Sequence, residues 1–185
     1  VTCGAIDIPV IETDRLRLRG WREADLDGLC ALFGDPEATR FTGGTKDQPA
    51  AWRQLATYAG HWLLKGWGPF AVTLKSTDEV IGYCGPWDPY GKALEPEITY
   101  GLASTHHGRG YATEAVRASI AHAYGTLSWD SALSYIDAKN DASLGVAQKL
   151  GARHDGDALL YGVVPVQIWR YPARASFVAD KGRAA

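Results

Sequence analysis

The sequence predicts a mixed α/β fold: a mostly antiparallel central sheet of about six to seven strands, one parallel β-α-β crossover, and helices on both faces. Three observations predict it. Short runs of apolar residues alternate with period two, as half-buried strands do. Longer segments repeat their apolar residues at helical spacing. The segments also follow one another in the order β-α-α-β-β-β-α-β-α-β-β. Antiparallel strands therefore come first, and a single strand–helix–strand step in the middle makes parallel neighbours.

Leu16 and Leu18 alternate with Arg15, Arg17 and Arg19 and mark a first strand, closed by Trp21. Asp25 to Phe33 reads as a short helix with Leu26, Leu29, Leu32 and Phe33 on one face, and Pro36 follows its end. Asp47 and Pro49 cap and open a second helix that runs through Trp52, Leu55, Tyr58, Ala59 and Trp62. The Phe70–Leu74 and Val80–Cys84 runs flank a polar Lys75–Glu79 segment and form a hairpin. Glu97–Leu102 is a further strand and leads to a glycine turn at 107–110. A helix follows, with Ala112, Ala115, Val116, Ser119, Ile120 and Ala123 inward and Glu114, Arg117 and His122 outward. Leu133–Asp137 is a strand, Ala142–Leu150 a helix stopped by Gly151, and two last strands lie near Ala158–Tyr161 and Val166–Tyr171. The residues before Thr13 and after about Arg174 read as loosely held ends.

The 185 residues suit one domain, with its core over about residues 12–172. A formal net charge of −2 disfavours a chain whose main task is to coat nucleic acid. Cys3, Cys30 and Cys84 are sparse and odd in number, which fits a reducing compartment better than a disulfide framework. No apolar run approaches the ~18 residues of a membrane span, and the first residues show no signal-peptide pattern. No metal-ligand spacing emerges around His61, His106, His122 or His154, which read as surface or packing residues. These readings together predict a cytoplasmic protein with no metal.

The segment His107-Gly108-Arg109-Gly110-Tyr111-Ala112-Thr113 joins a strand to a helix. Such a turn gathers free main-chain N–H groups, and the helix dipole adds partial positive charge. Gly108 and Gly110 permit positive φ, small Ala112 leaves the mouth of the turn open, and Arg109 and protonated His107 add charge. A phosphate is the natural guest, although a tight connection that merely uses glycine fits the same letters. A P-loop would need Gly-Lys-Ser/Thr, which is absent. A dinucleotide fingerprint would need a third glycine where Thr113 stands, and a Rossmann domain would repeat βαβ units around the turn.

These residues resemble the GNAT superfamily of N-acetyltransferases, and most closely its ribosomal-protein N-terminal acetyltransferase branch. The likeness runs from Glu12-Thr13-Asp14-Arg15-Leu16-Arg17-Leu18-Arg19 to Arg170. The superfamily's pyrophosphate turn, Gln/Arg-x-x-Gly-x-Gly/Ala, is similar to His107–Ala112 here, with His107 departing at the first position. Thr113-Glu114-Ala115 follow as is usual in that branch. Downstream, Asn140-x-x-Ser143 and then Gln148-Lys149-Leu150-Gly151-Ala152 are similar to the superfamily's Asn-x-x-Ser…Glu-Lys-Leu-Gly-Phe segment. Asn140 and Ser143 also suit a plain helix cap.

The resemblance implies an N-acetyltransferase with acetyl-CoA as co-substrate, acting on a primary amine, either a peptide N-terminus or a small molecule, by direct attack in a ternary complex. It implies no metal, nucleic-acid or membrane partner and admits a homodimer. Residues 107–113 would hold the pyrophosphate, Asn140 and Ser143 the pantetheine arm, and main-chain groups near Gly101 and Leu102 the thioester. Glu97, on the strand leading to the turn, is the first choice for proton acceptor; Glu95 is second. A solvated or salt-bridged carboxylate is the plain alternative for Glu97. The Tyr that many members use as acid is replaced by Ala147, which leaves Ser143 in that role. By analogy the acceptor pocket borders on Arg40–Gly44 and the loop Asp88–Glu95, with Asp88 and Glu95 attracting a cationic amine and Trp67 and Trp87 as walls. A non-catalytic acyl-CoA-binding or protein-interaction module on the same fold is the alternative reading.

Overall fold

The leucine–arginine alternation does produce a strand, Leu16–Arg19, and both leucines are fully buried. The structure is a computed structural model of the chain and describes residues 6–89 and 94–180. A two-residue strand, β1 (Ile11–Glu12), pairs antiparallel with Leu16–Arg19, which is therefore β2. Two residues are too few to show alternation, so β1 escaped the sequence reading. The described residues group into two units. One comprises the chain up to Cys84 with Tyr100–Tyr111; the other comprises Gly85–Thr99 and the chain from Ala112 onward.

β2 pairs antiparallel with β3 (Phe70–Leu74), which pairs antiparallel with β4 (Val80–Trp87). With β5 (Glu97–Leu102) these make a sheet in the order β1-β2-β3-β4-β5. A 3-10 turn (Glu23–Asp25) leads into α1 (Leu26–Gly34), and α2 (Gln48–Lys65) begins where predicted: Asp47 accepts from the Ala50 N–H at 2.9 Å. Gly66, at φ +74°, ends α2. The buried stripe of α2 is Ala51, Leu55, Tyr58 and Trp62. Trp52 is 44% exposed, and the buried stripe starts one residue earlier, at Ala51. Arg19, on the same strand as the core leucines, is itself buried and makes a bidentate ion pair with Asp25 at 2.7 and 2.8 Å.

In the second unit, β6 (Leu133–Ile136), β8 (Val164–Arg170) and β7 (Arg153–Leu160) form a sheet in that order, antiparallel throughout. α3 (Tyr111–Gly125) enters this unit from Ala112, and α4 (Asp141–Lys149) joins β6 to β7. His122, predicted on the outer face of α3, is buried beside Ala123 and Tyr124, and burial holds its pKa below the usual histidine value. Residues 174–180 are not a loose end: α5 (Arg174–Asp180) packs Phe177 edge-on against Tyr124, with ring centroids 5.5 Å apart.

The predicted central sheet thus comes as five strands plus three. The element order β5-α3-β6 is present, but β5 and β6 share no ladder. Within the second unit, Ser134 Oγ donates to the Ile98 carbonyl at 2.6 Å, and the Tyr135 N–H donates to Glu97 Oε2 at 3.1 Å.

Candidate functional site

β5 leaves its sheet through a short 3-10 turn (Ser104–His106), and His107 is extended. Gly108 and Gly110 then adopt φ of +73° and +81°, and α3 begins at Tyr111. For other residues the left-handed conformation costs about 1–2 kcal/mol each, so the two glycines are required by the path of the chain. The main-chain N–H groups of Gly108, Arg109 and Gly110 make no hydrogen bond among the described residues. The first N–H groups of α3 have no partner within their own helix. The result is an exposed set of donors at the positive end of a helix dipole, suited to an anion.

The turn is fastened by side-chain hydrogen bonds at His107 and at Arg109. Leu102 O accepts from His107 Nε2 at 2.9 Å. A carbonyl only accepts, so the ring carries its proton on Nε2 and His107 braces the turn. Arg15 Nη1 donates to Arg109 O at 2.9 Å, and its guanidinium carbon lies 4.6 Å from the Tyr111 ring centroid. Asp35 accepts from the Ser104 N–H at 3.1 Å, and these hydrogen bonds from Ser104 hold its carboxyl down at about 2. Arg15 and Asp35 went unmarked in the sequence reading, because they stand 94 and 69 positions from the residues they hold.

On β5, the Ala103 N–H donates to Ile81 O on β4 at 2.9 Å. Residues two apart on an antiparallel strand point their main-chain groups the same way, so Gly101 also faces β4. Its carbonyl would lie 2.2 Å from a Cβ added at Gly82. Leu102 is therefore the member of the Gly101–Leu102 pair whose main chain faces the open edge. A Cβ on Gly101 would meet the Tyr83 ring at 2.7 Å, so the close approach this glycine allows is to Tyr83.

In the second unit, Glu97 is buried, and desolvation raises its carboxyl to about 7, opposed in part by the Tyr135 N–H. Glu95 differs sharply. It is exposed and bound by Arg170, whose Nη2 and Nη1 reach it at 2.8 and 3.1 Å. That pair compensates the charge predicted to attract an amine. Tyr135 OH donates to the Glu95 carbonyl at 3.3 Å. Asn140 caps α4 by accepting from the Ser143 N–H at 3.1 Å, so the cap reading of this pair is realised. Ala147 is fully buried. Of the predicted pocket borders, residues 90–93 and likewise Cys3 lie outside the described residues.

A polar recess of about 430 Å³ in the first unit is lined by Arg19, Arg22, Asp25, Asp78, Glu79 and His106 among others. Its permanent charges are paired, Arg19 with Asp25 and Arg22 with Asp78, and His106 Nε2 lies 3.4 Å from Glu79. No group of three or more His, Cys, Asp or Glu that could hold a metal occurs among the described residues. No helix among them is long and apolar enough to cross a membrane.

Comparison with known proteins agrees with the fold. Residues 15–153 match the acetyltransferase (GNAT) domain family. The chain belongs to that family, whose general chemistry is acetyl transfer from acetyl-CoA. It is 31% identical over 147 residues to the uncharacterized N-acetyltransferase p20 of Bacillus licheniformis, covering 78% of this chain and 82% of that one. The crystal structure of an acetyltransferase from Agrobacterium tumefaciens strain C58 superposes with a TM-score of 0.79 at 30% identity, covering 91% of this chain and 96% of that one. Ribosomal-protein-S5-alanine acetyltransferase from Vibrio fischeri shares the fold, with a TM-score of 0.70 at 17% identity over 91% of this chain and 98% of its own.

Proposed function

We propose that the protein is a cytoplasmic N-acetyltransferase that moves the acetyl group of acetyl-CoA to a primary amine, a peptide N-terminus or a small molecule, by direct attack in a ternary complex. The observation that carries this reading is the Gly108–Gly110 turn, with its outward donors at the start of α3. Residues 107–113 hold the pyrophosphate, with the charge of Arg109 beside it. Asn140 and Ser143 receive the pantetheine arm, and the main chain at Leu102 receives the thioester.

Glu97 takes the proton that the attacking ammonium must lose. A base near 7 suits this work. Taking a proton from an α-ammonium of pKa about 8 is uphill by roughly 1.4 kcal/mol, whereas a lysine near 10.4 asks for about 4.6 kcal/mol. An α-amine, or another amine of low pKa, is therefore the better acceptor. As the amine nitrogen bonds to the acetyl carbon, the carbon–sulfur bond breaks and the thiolate leaves. A thiol pKa near ~8.5 lets it leave with little help, which fits Ala147 in place of an acid and limits Ser143 to a supporting role.

Thiol-detected CoA release over a panel of amines and short peptides tests the proposal, alongside calorimetry with acetyl-CoA. Binding and release with at least one amine are expected; no binding at millimolar acetyl-CoA overturns it. Binding without release across the whole panel selects the non-catalytic module that Ala147 leaves open.

A further inference from the structure

We propose that Arg15 is a positioning residue for the cofactor turn, acting through the Arg109–Gly110 peptide; this rests on the pyrophosphate reading of the turn. A trans peptide is planar, so the Arg109 carbonyl and the Gly110 N–H point in opposite directions. Arg15 Nη1 holds that carbonyl at 2.9 Å in an exposed hydrogen bond. The Gly110 N–H is thereby aimed outward, away from the guanidinium. Without this hold the peptide is free to turn over, because Gly110 tolerates both signs of φ. A flipped peptide would present a carbonyl oxygen, a partial negative charge, where the phosphate must sit.

Contacts within the turn region fix Arg15 for the task. One is the bond to Arg109 O. Its guanidinium also lies over the Tyr111 ring at 4.6 Å, a cation–π placement at the first residue of α3. Its Nη2 stands 3.4 Å from where a Cβ on Gly110 would be, so the group lies directly against the turn. Arg15 immediately precedes β2, whose first leucine is buried in the core. The hold is therefore anchored on rigid structure, and a planar fork of donors does this better than a flexible ammonium.

The test compares wild type with Arg15→Ala and Arg15→Lys. Affinities for acetyl-CoA and for S-acetylpantetheine, which lacks the pyrophosphate, are measured by calorimetry, together with thermal unfolding. The expected result is a loss of roughly tenfold in acetyl-CoA affinity for Arg15→Ala, partial recovery in Arg15→Lys, and unchanged S-acetylpantetheine affinity. In ¹⁵N-glycine-labelled protein the Gly110 amide should shift on adding CoA to wild type and not in Arg15→Ala. Equal acetyl-CoA affinity in wild type and Arg15→Ala overturns the inference while leaving the reading of the turn intact. An equal loss for both ligands assigns Arg15 a general structural role and also overturns it. Failure of the wild type to bind acetyl-CoA overturns the reading of the turn, and the inference with it.

Discussion

The Tyr135 main-chain N–H donates to Glu97 Oε2 at 3.1 Å, so a strand of one sheet is bonded to a carboxylate on the end strand of another. The bond stabilises the ionised form, but burial outweighs it, and the carboxyl titrates near 7.

If Glu97 is the base, activity rises with pH through a limb of apparent pKa about 7. Glu97→Gln should remove that limb and most turnover while keeping acetyl-CoA affinity. The stability effect has the opposite sense. The folded pKa is raised from 4.5 to about 7, so this carboxyl's stabilising contribution is complete below 4.5 and lost as pH rises through 7. Glu97→Gln cannot ionise and should exceed wild type above pH 7, by on the order of 2–3 kcal/mol. Denaturant melts at pH 5 and pH 8 measure the difference; equal gaps at both values contradict it.

Gly110→Val places a β-branched residue at φ +81°. The exposed position limits the stability loss to about 1–2 kcal/mol, but the turn must distort. Acetyl-CoA affinity should fall well beyond what the melting shift suggests, as read by calorimetry.

Asp25→Ala strands the buried Arg19 guanidinium and removes the acceptor for the Arg22 N–H. Breaking one side of a buried pair costs about 3–5 kcal/mol. Asp25→Asn keeps an acceptor and should cost less. Urea melts of the two variants rank them.

Gly82→Ala drives a methyl to 2.2 Å from Gly101 O and 2.5 Å from Leu102 Cδ2. One of these atoms belongs to main chain and cannot swing aside. A loss of roughly 3 kcal/mol or more is expected, with low yield of folded protein as the simplest readout.

Ser134→Ala removes the donor to Ile98 O and the contact with Tyr171 OH at 3.0 Å. Both oxygens lose a partner in a buried place, at about 1–3 kcal/mol. The same change frees β5 from β6 at the residue next to Glu97, so the pH limb should also broaden or move.

Much of the fold was legible because it follows from local periodicity. The Leu16/Leu18 alternation, the Asp47 cap and the two glycines before α3 each act within a few residues of their own position. The misses share a cause. His122 carries a type that reads outward by rule, yet neighbouring elements set which side of α3 is covered. β1 and α5 are short and gain their order from partners, β2 and Tyr124, that no local pattern reveals.

The sequence by itself determined the order of elements, the glycine turn before α3 and the residue types available for chemistry, because helix and strand periods and glycine's positive φ are local properties. Only the tertiary structure decided what each charged group does. Glu97 and Glu95 stand two positions apart, and nothing in their spacing tells a buried carboxyl near 7 from one bound by Arg170. Nor does any local pattern place Arg15 beneath Arg109. Desolvation and long-range hydrogen bonds depend on which surfaces meet, and that is settled by packing.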